Sequence, residues 1–376
     1  MTFTFHPSVP RGIVTGITIL TVVSLLIYLI QQYKPLKPIA TWHFGGEDVF
    51  QPLSYIPPTG LGTWQIPKSK AVNIVKFALE TGYRHIDAAL IYGQCAYKGA
   101  LDQFIRDQFI RFSLSLELIL NIGNEKQVGE GIAAARIPRS SLWVTGKLWN
   151  NAHRPSAVRP ALEQTLHNLG LDYLDLYLMH WPVAFEPGSV YNTVIDHDTD
   201  LRETWSAMED LVREGLVRQI GISNFDKAQT ETILRHATIP PTVHEFECHL
   251  YLQQPEFVKW TLNHGMRVIA YSPLGNMNSI YNSSLLPLLQ DPSLLALAER
   301  KGLTVAQLAL AWNMHRGVIV IPKSEHTERV VENFHAQSVH LTAEDMEFLN
   351  GLDRKARFNN PSDDWNFPLY SGLDGV

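Results

Sequence analysis

The stretch Pro155–His180, PSAVRPALEQTLHNLGLDYLDLYLMH, holds one complete helix-to-strand unit. Val158, Leu162, Leu166 and Leu169 fall on one helical face, which predicts a helix from Pro155 to Leu169. Asp175 to His180 (DLYLMH) follows as a buried strand. The same alternation extends in both directions. Upstream, Gly60 to Trp64 (GLGTW) precedes an amphipathic helix over Ser69–Thr81, and Tyr83–Ala89 (YRHIDAA) and Leu142–Leu148 read as strands. Downstream, the pattern predicts helices at Leu201–Arg213, Asp226–His236, Gln254–Asn263, Leu294–Met314 and Thr327–Phe334. Between them lie strands at Val217–Ser223, Val243–His249, Arg267–Ser272 and Val318–Pro322. Asp200 with Glu203 gives the Leu201 helix a capping-box-like start. Eight strand–helix pairs with apolar strands imply an all-parallel sheet, and eight is the number that closes a TIM (β/α)8 barrel. An open doubly wound sheet is the rival, but it would want a glycine fingerprint after an early strand, and G-x-G-x-x-G does not occur.

Composition narrows the class. The chain has 376 residues, 45% hydrophobic and 18% charged, which excludes a mostly disordered protein. Its net charge of −6 argues against nucleic acid as a partner. Two cysteines, Cys95 and Cys248, are too few for a disulfide framework or a four-ligand zinc site, so no metal is expected and a reducing compartment is.

The N-terminus departs from this pattern. Gly12 to Ile30 runs 19 residues without a charge, close to the ~20 that span a bilayer. No small-residue cleavage site follows, so residues 1–34 are expected to carry a single uncleaved hydrophobic membrane helix ahead of the α/β barrel. The catalytic part is then expected to face the cytosol as a monomer. Residues 35–58 hold five prolines and read as a linker. The barrel is assigned to 59–376.

Polar residues at strand ends carry the chemistry, because a barrel builds its site there. Asp87 and Tyr92 follow the second strand, Lys147 ends the third and His180 the fourth. Ser223 and Asn224 end the fifth, Glu245 lies in the sixth, Tyr271 and Ser272 end the seventh, and Lys323 and Ser324 follow the eighth. Tyr, Lys, Asp and His converging on a pocket suit proton transfer to a carbonyl oxygen. Free Tyr is a weak acid at neutral pH, and a nearby ammonium is expected to lower its pKa. A buried Lys needs an anion, which Asp87 supplies. A neutral His can orient the carbonyl.

These segments resemble the aldo-keto reductase family over about Gly60 to Tyr370. The motifs are GLGTW, GYRHIDAA-x-IYG, NEKQVGE, VTGKLWN, LDYLDLYLMHWP, GISNF, AYSPLG and IPKS-x4-R-x2-EN. The resemblance implies NADPH-dependent reduction of an aldehyde, aldose or small ketone to the alcohol. Asp87, Tyr92, Lys147 and His180 match the catalytic tetrad, with Tyr92 as general acid. Trp64, Trp149 and Trp181 match aromatic substrate-pocket positions. Ser223 and Asn224 match residues that hold the nicotinamide carboxamide, Tyr271 the ring stacked on nicotinamide, and Ser272 and Leu274 the pyrophosphate contacts. Lys323, Ser324 and Arg329 match the grip on the 2′-phosphate, with Glu332 and Asn333 near adenine. Lys, Arg and hydroxyl donors suit a phosphate, so NADPH is expected over NADH.

Three features depart from the family pattern. His244-Glu245 stands where Asn-Gln is usual, and Leu250 replaces a Pro. An ionised Glu245 accepts from the carboxamide NH2 but cannot donate to its oxygen. The membrane helix is the second departure. The third is a 30-residue segment, Gln94–Gly123, rich in Phe, Leu and Ile and set beside Tyr92. It reads as a lid helix, a membrane-touching element or a translated intron. Without it Gly93 joins Asn124, which would cap the next helix with Gln127 three residues later. The insert and Glu245 leave a second function open, a catalytically idle NADPH-binding accessory or redox-sensing module tethered to a membrane. In the C-terminal tail, Trp365, Phe367 and Tyr370 are candidate pocket walls.

Overall fold

Eight parallel strands lie side by side in chain order: β1 Leu61–Gly62, β2 His85–Asp87, β3 Trp143–Leu148, β4 Leu174–Met179, β5 Val217–Ser223, β6 Val243–Glu247, β7 Arg267–Tyr271 and β8 Ile319–Val320. The Gly60 N–H donates to Val320 O at 2.8 Å and the Val320 N–H to Pro58 O at 3.0 Å, so the first and last strands meet and the sheet closes. This is the expected barrel, seen in a computed structural model that describes residues 55–92, 123–188, 190, 192–275 and 284–375. All of them belong to the compact unit that begins at Tyr55. The expected membrane helix Gly12–Ile30, the linker through residue 54, and residues 94–122 of the inserted segment lie outside the described residues. Among the described residues no helix is long and apolar enough to cross a membrane.

The helices that follow the strands are α1 Lys68–Thr81, α2 Glu125–Ala135, α3 Pro155–Leu169, α4 Leu201–Arg213, α5 Lys227–His236, α6 Pro255–Asn263, α7 Pro292–Lys301, α8 Val305–His315 and α9 Thr327–His335. Two short helices, α10 Ala343–Asn350 and α11 Ser362–Trp365, belong to the tail. The expected continuous helix Leu294–Met314 is two helices. Gly302 ends α7 in the left-handed region (φ +64°), and Thr304 opens α8 with a reciprocal capping box to Gln307. Apolar residues continue across the break because both helices bury a face on the barrel. Asp200 caps α4 through the Arg202 N–H, not through a box with Glu203. Asn124 does not cap α2 with its side chain; its Nδ2 donates to Thr63 O (2.8 Å) and Ile66 O (3.0 Å), tying α2 to the loop after β1.

The apolar core has two parts. One set of side chains fills the barrel, among them Trp143, Leu176, Leu178, Val243, Ile269 and Ile319. Between strands and helices lies the larger part, including Ile86, Val144, Tyr177, Met179 and Ile222 on one side and Phe246, Val268 and Ala270 on the other. The two sets alternate along each strand, as the two-residue period of a pleated backbone requires.

Candidate active site

That alternation positions the chemistry. Asp87, Lys147, Ser223, Glu245 and Tyr271 follow inward-facing positions by steps of two, and His180 continues the inward series Leu176, Leu178 past the end of β4. Register places them side by side: Ser223 pairs Glu245, and Asp87 pairs Thr145, two residues before Lys147. The fold therefore stacks one polar layer on top of an apolar plug. Thr63 steadies its edge by donating from Oγ1 to Asp87 O at 2.8 Å.

Lys147 Nζ lies 2.6 and 2.5 Å from the two Asp87 oxygens and 3.2 Å from Glu245 Oε1, with all three side chains within 1% of full burial. Burial alone would lower the ammonium, but the two carboxylates outweigh it and hold Lys147 above the ordinary lysine value. Tyr92 donates from its hydroxyl to Asp87 Oδ1 at 3.3 Å, and Lys147 Nζ sits 5.1 Å from its ring centre. The expectation that Lys147 would lower the Tyr92 pKa is not met. Burial raises the phenol first, and although Lys147 pulls it down, Asp87 and Glu245 push it up, so the net direction is upward. Lys147 does pull it down, but burial is the larger effect and decides the direction. Tyr92 is therefore a neutral phenol holding its proton.

His180 is also neutral. Burial, then Lys147, then His153 keep its imidazole well below the ordinary histidine value, and its Nδ1 is buried without a partner. Its ring meets Tyr92 edge-on at 6.0 Å and Trp149 at 5.1 Å. Trp181 packs against Trp365 from the tail at 4.9 Å. A phenol, a neutral imidazole and three indoles thus surround one end of a cleft, a wall suited to a polarised carbonyl on an apolar body.

The cleft encloses about 840 Å³ and runs from this end to the start of α9. All the candidate residues line it except Lys147 and Ser223, which are buried beneath its wall. Of the tail residues, Trp365 lines it. Phe367 and Tyr370 do not; they pack with the aromatic cluster behind the wall. Asn224 receives the hydroxyls of Tyr271 (2.7 Å) and Tyr370 (3.0 Å) on Oδ1 and donates from Nδ2 to His180 O and Ser223 Oγ. Three cleft residues, Gln65, Asn224 and Ser272, have left-handed backbones (φ +57°, +65° and +46°). Non-glycine residues held there store strain, which clusters at functional sites. At the far end Lys323, Ser324 and Arg329 face the cleft, with Glu325 3.9 Å from Lys323 Nζ. One end thus offers amide, hydroxyl and aromatic groups, and the other cationic and hydroxyl donors. That donor set fits a dinucleotide bearing a phosphate at the far end.

Sequence reasoning missed Gln65 and Asn359. Asn359 reaches in from the tail, with Nδ2 3.4 Å from the Tyr271 hydroxyl, and its carbonyl accepts from Tyr370 at 3.1 Å. No periodic signal marks either residue. Gly123, the last residue of the inserted segment, is described. A Cβ there would lie 2.2 Å from Leu90 O and 3.1 Å from Tyr92 O, so the chain returns against the residues it leaves from.

Comparison with known proteins gives the family and the fold. The model of the Aldo/keto reductase family matches residues 58–354. An uncharacterised oxidoreductase of Schizosaccharomyces pombe is 42% identical over 329 residues, covering 85% of this chain and 92% of that protein. Aldo-keto reductase family 1 member A1 of Homo sapiens is 39% identical over 318 residues, covering 81% and 89%. Among solved structures, the aldose reductase of Schistosoma japonicum superposes with a TM-score of 0.70 at 36% identity, covering 84% of this chain and 94% of that one.

Proposed function

The chain belongs to the aldo/keto reductase family, and from that premise we propose that it reduces the carbonyl of an aldehyde, aldose or small ketone to the alcohol with NADPH. The observation that carries the reading is the buried set of Tyr92, Asp87, Lys147 and His180 at adjoining strand ends of one cleft. When bound, the nicotinamide cofactor supplies hydride to the carbonyl carbon. The neutral His180 orients the carbonyl oxygen and holds its developing charge. Tyr92 gives its proton to that oxygen, and the Lys147 ammonium steadies the phenolate left behind. Asp87 keeps Lys147 charged and in place, so it acts through Lys147. Asn224, Glu245 and Tyr271 would hold the nicotinamide, with Ser223 behind them accepting from Asn224 Nδ2, and Ser272 and Leu274 would hold the pyrophosphate. Lys323, Ser324 and Arg329 would grip the 2′-phosphate, and Glu332 and Asn333 would flank the adenine. Trp64, Trp149 and Trp181 would wall the substrate. The complete tetrad supports an enzyme over an idle nucleotide-binding module.

The test is NADPH consumption by the full chain with a generic aromatic aldehyde. Turnover that follows aldehyde concentration supports the reading; NADPH binding with no turnover on aldehydes, aldoses or ketones returns the idle module. The anchor reading of Gly12–Ile30 rests on its 19 uncharged residues. It requires the protein to stay with membranes through alkaline carbonate washing, and release into the supernatant would end it.

A further inference from the structure

Three carboxyl and ammonium groups share the barrel mouth, and their charges do not balance. Among the described residues Lys147 is the single cation there, while Asp87 and Glu245 both lie within ion-pair distance of it and act on each other. The second Glu245 oxygen, Oε2, is buried and receives no donor. An ionised Glu245 therefore leaves one surplus negative charge on a buried group, a costly arrangement unless a cation joins it. Glu245 lines the cleft and pairs in register with Ser223, whose neighbour Asn224 also lines it. The cationic partner that the proposed function brings to this point is the oxidised nicotinamide ring. The reduced ring carries no such charge.

Resting on that function, we propose that Glu245 selects for the oxidation state of the cofactor: neutral beside NADPH, ionised beside NADP+, so that NADP+ binding releases the Glu245 proton and NADPH binding does not. A glutamine at this position could not do this, because it has no charge to adjust. Burial first, and then the neighbouring Asp87 carboxylate, push the free Glu245 carboxyl up to about 8, so it is mostly protonated at neutral pH before ligand arrives. Asp87 on β2, Tyr92 after it, Lys147 on β3, His180 after β4 and Tyr271 on β7 are the titratable groups around it. Tyr92, Tyr271 and His180 stay neutral, each because burial penalises its charge. Glu247, on the same face of β6, accepts from His249 Nε2 (2.9 Å) and from the Phe358 and Asn359 N–H groups, and Arg357 lies near it. Its charge is already met, which leaves Glu245 as the group free to respond.

The sign follows by linkage. A bound cation lowers the Glu245 pKa, so below pH ~8 NADP+ affinity rises with pH, by up to about tenfold per unit. The 2′-phosphate titrates in both cofactors and cancels in the ratio of their dissociation constants. The experiment is calorimetric titration of the full chain with NADP+ and with NADPH, from roughly pH 6 to 8, in buffers of different ionisation enthalpy. The expected result is more proton release on NADP+ binding than on NADPH binding, and a ratio that moves toward NADP+ as pH rises. In Glu245→Gln the ratio should become flat with both nucleotides still bound. A flat ratio in the wild type overturns the inference alone, as does an unchanged slope in Glu245→Gln. Failure to bind either nucleotide overturns the functional reading and this inference with it. The wild-type ratio decides even if the variant does not fold.

Discussion

At the barrel end of the cleft Lys147 is fully buried against the Asp87 and Glu245 carboxyl groups, whereas at the far end the Lys323 side chain is 33% exposed and Arg329 lies at the surface. Both ends carry cations, and solvent access separates their roles. A buried charge is tolerable only when paired, so the barrel end must fold with its partners already in place. The far end keeps its cations partly in water, where they are stable without a ligand and available to an anion. Burial likewise makes Tyr92 a firmly protonated acid, while burial, Lys147 and His153 keep His180 uncharged. The contrast gives one end that does chemistry by a fixed electrostatic arrangement and another that binds by exposed donors.

The sharpest break of that contrast removes the proton donor alone. Tyr92→Phe should lower kcat by about 10²–10⁴-fold, the usual contribution of general acid catalysis, while NADPH binding by fluorescence titration stays near wild type. An unchanged kcat would take Tyr92 out of this role.

Next in size, Lys147→Met strips the only cation from between Asp87 and Glu245. Breaking a buried pair of this kind costs ~3–5 kcal/mol. Urea unfolding should show that loss. It should be greater at pH 8 than at pH 6, because carboxyls left without a cation have raised folded-state pKa values and contribute stability that fades as pH rises. A loss below 1 kcal/mol at both pH values would mean that the cluster is solvated (~1 kcal/mol is the ceiling for exposed pairs).

The open end should yield a smaller and more selective effect. Lys323→Ala and Arg329→Ala each remove a charge-assisted bond, worth on the order of 1.5–3 kcal/mol. KM for NADPH should rise by the matching factor with little change for NADH and little change in stability. Equal rises for both cofactors would show that neither residue reads the phosphate.

The smallest expected effect belongs to the segment that follows Tyr92. Deleting Gln94–Gly123 should leave a folded barrel with activity retained or raised, because Gly123 already lies against Leu90 and Tyr92 and the cut rejoins neighbouring backbone. Loop entropy alone changes by ~0.6 kcal/mol for each doubling of length, so thermal unfolding should shift little. Loss of activity with a native unfolding curve would instead identify the segment as a working part of the site.

The amino-acid sequence alone determined the barrel. Apolar runs of strand length alternate with helical periods eight times, and chain order is also spatial order, so local pattern and global topology coincide. It also determined which side chains meet, since a period of two fixes that Asp87, Lys147, Glu245 and Tyr271 face inward once the sheet closes. Gly302 between Leu294 and Met314 was a legible break, overridden by an apolar pattern that both helices share. Tertiary structure decided the rest. The Tyr92 pKa turned upward because the closed barrel buries the phenol, and because Asp87 and Glu245, from strands far apart in sequence, oppose the pull of Lys147, a sum no single segment contains. Tyr370 and Asn359 reach Asn224 and Tyr271 across 146 and 88 positions of chain, where no periodicity constrains a contact. Left-handed backbone at Asn224 and Ser272 likewise arises from closure, because the local sequence would not choose it and only the packed barrel can hold it.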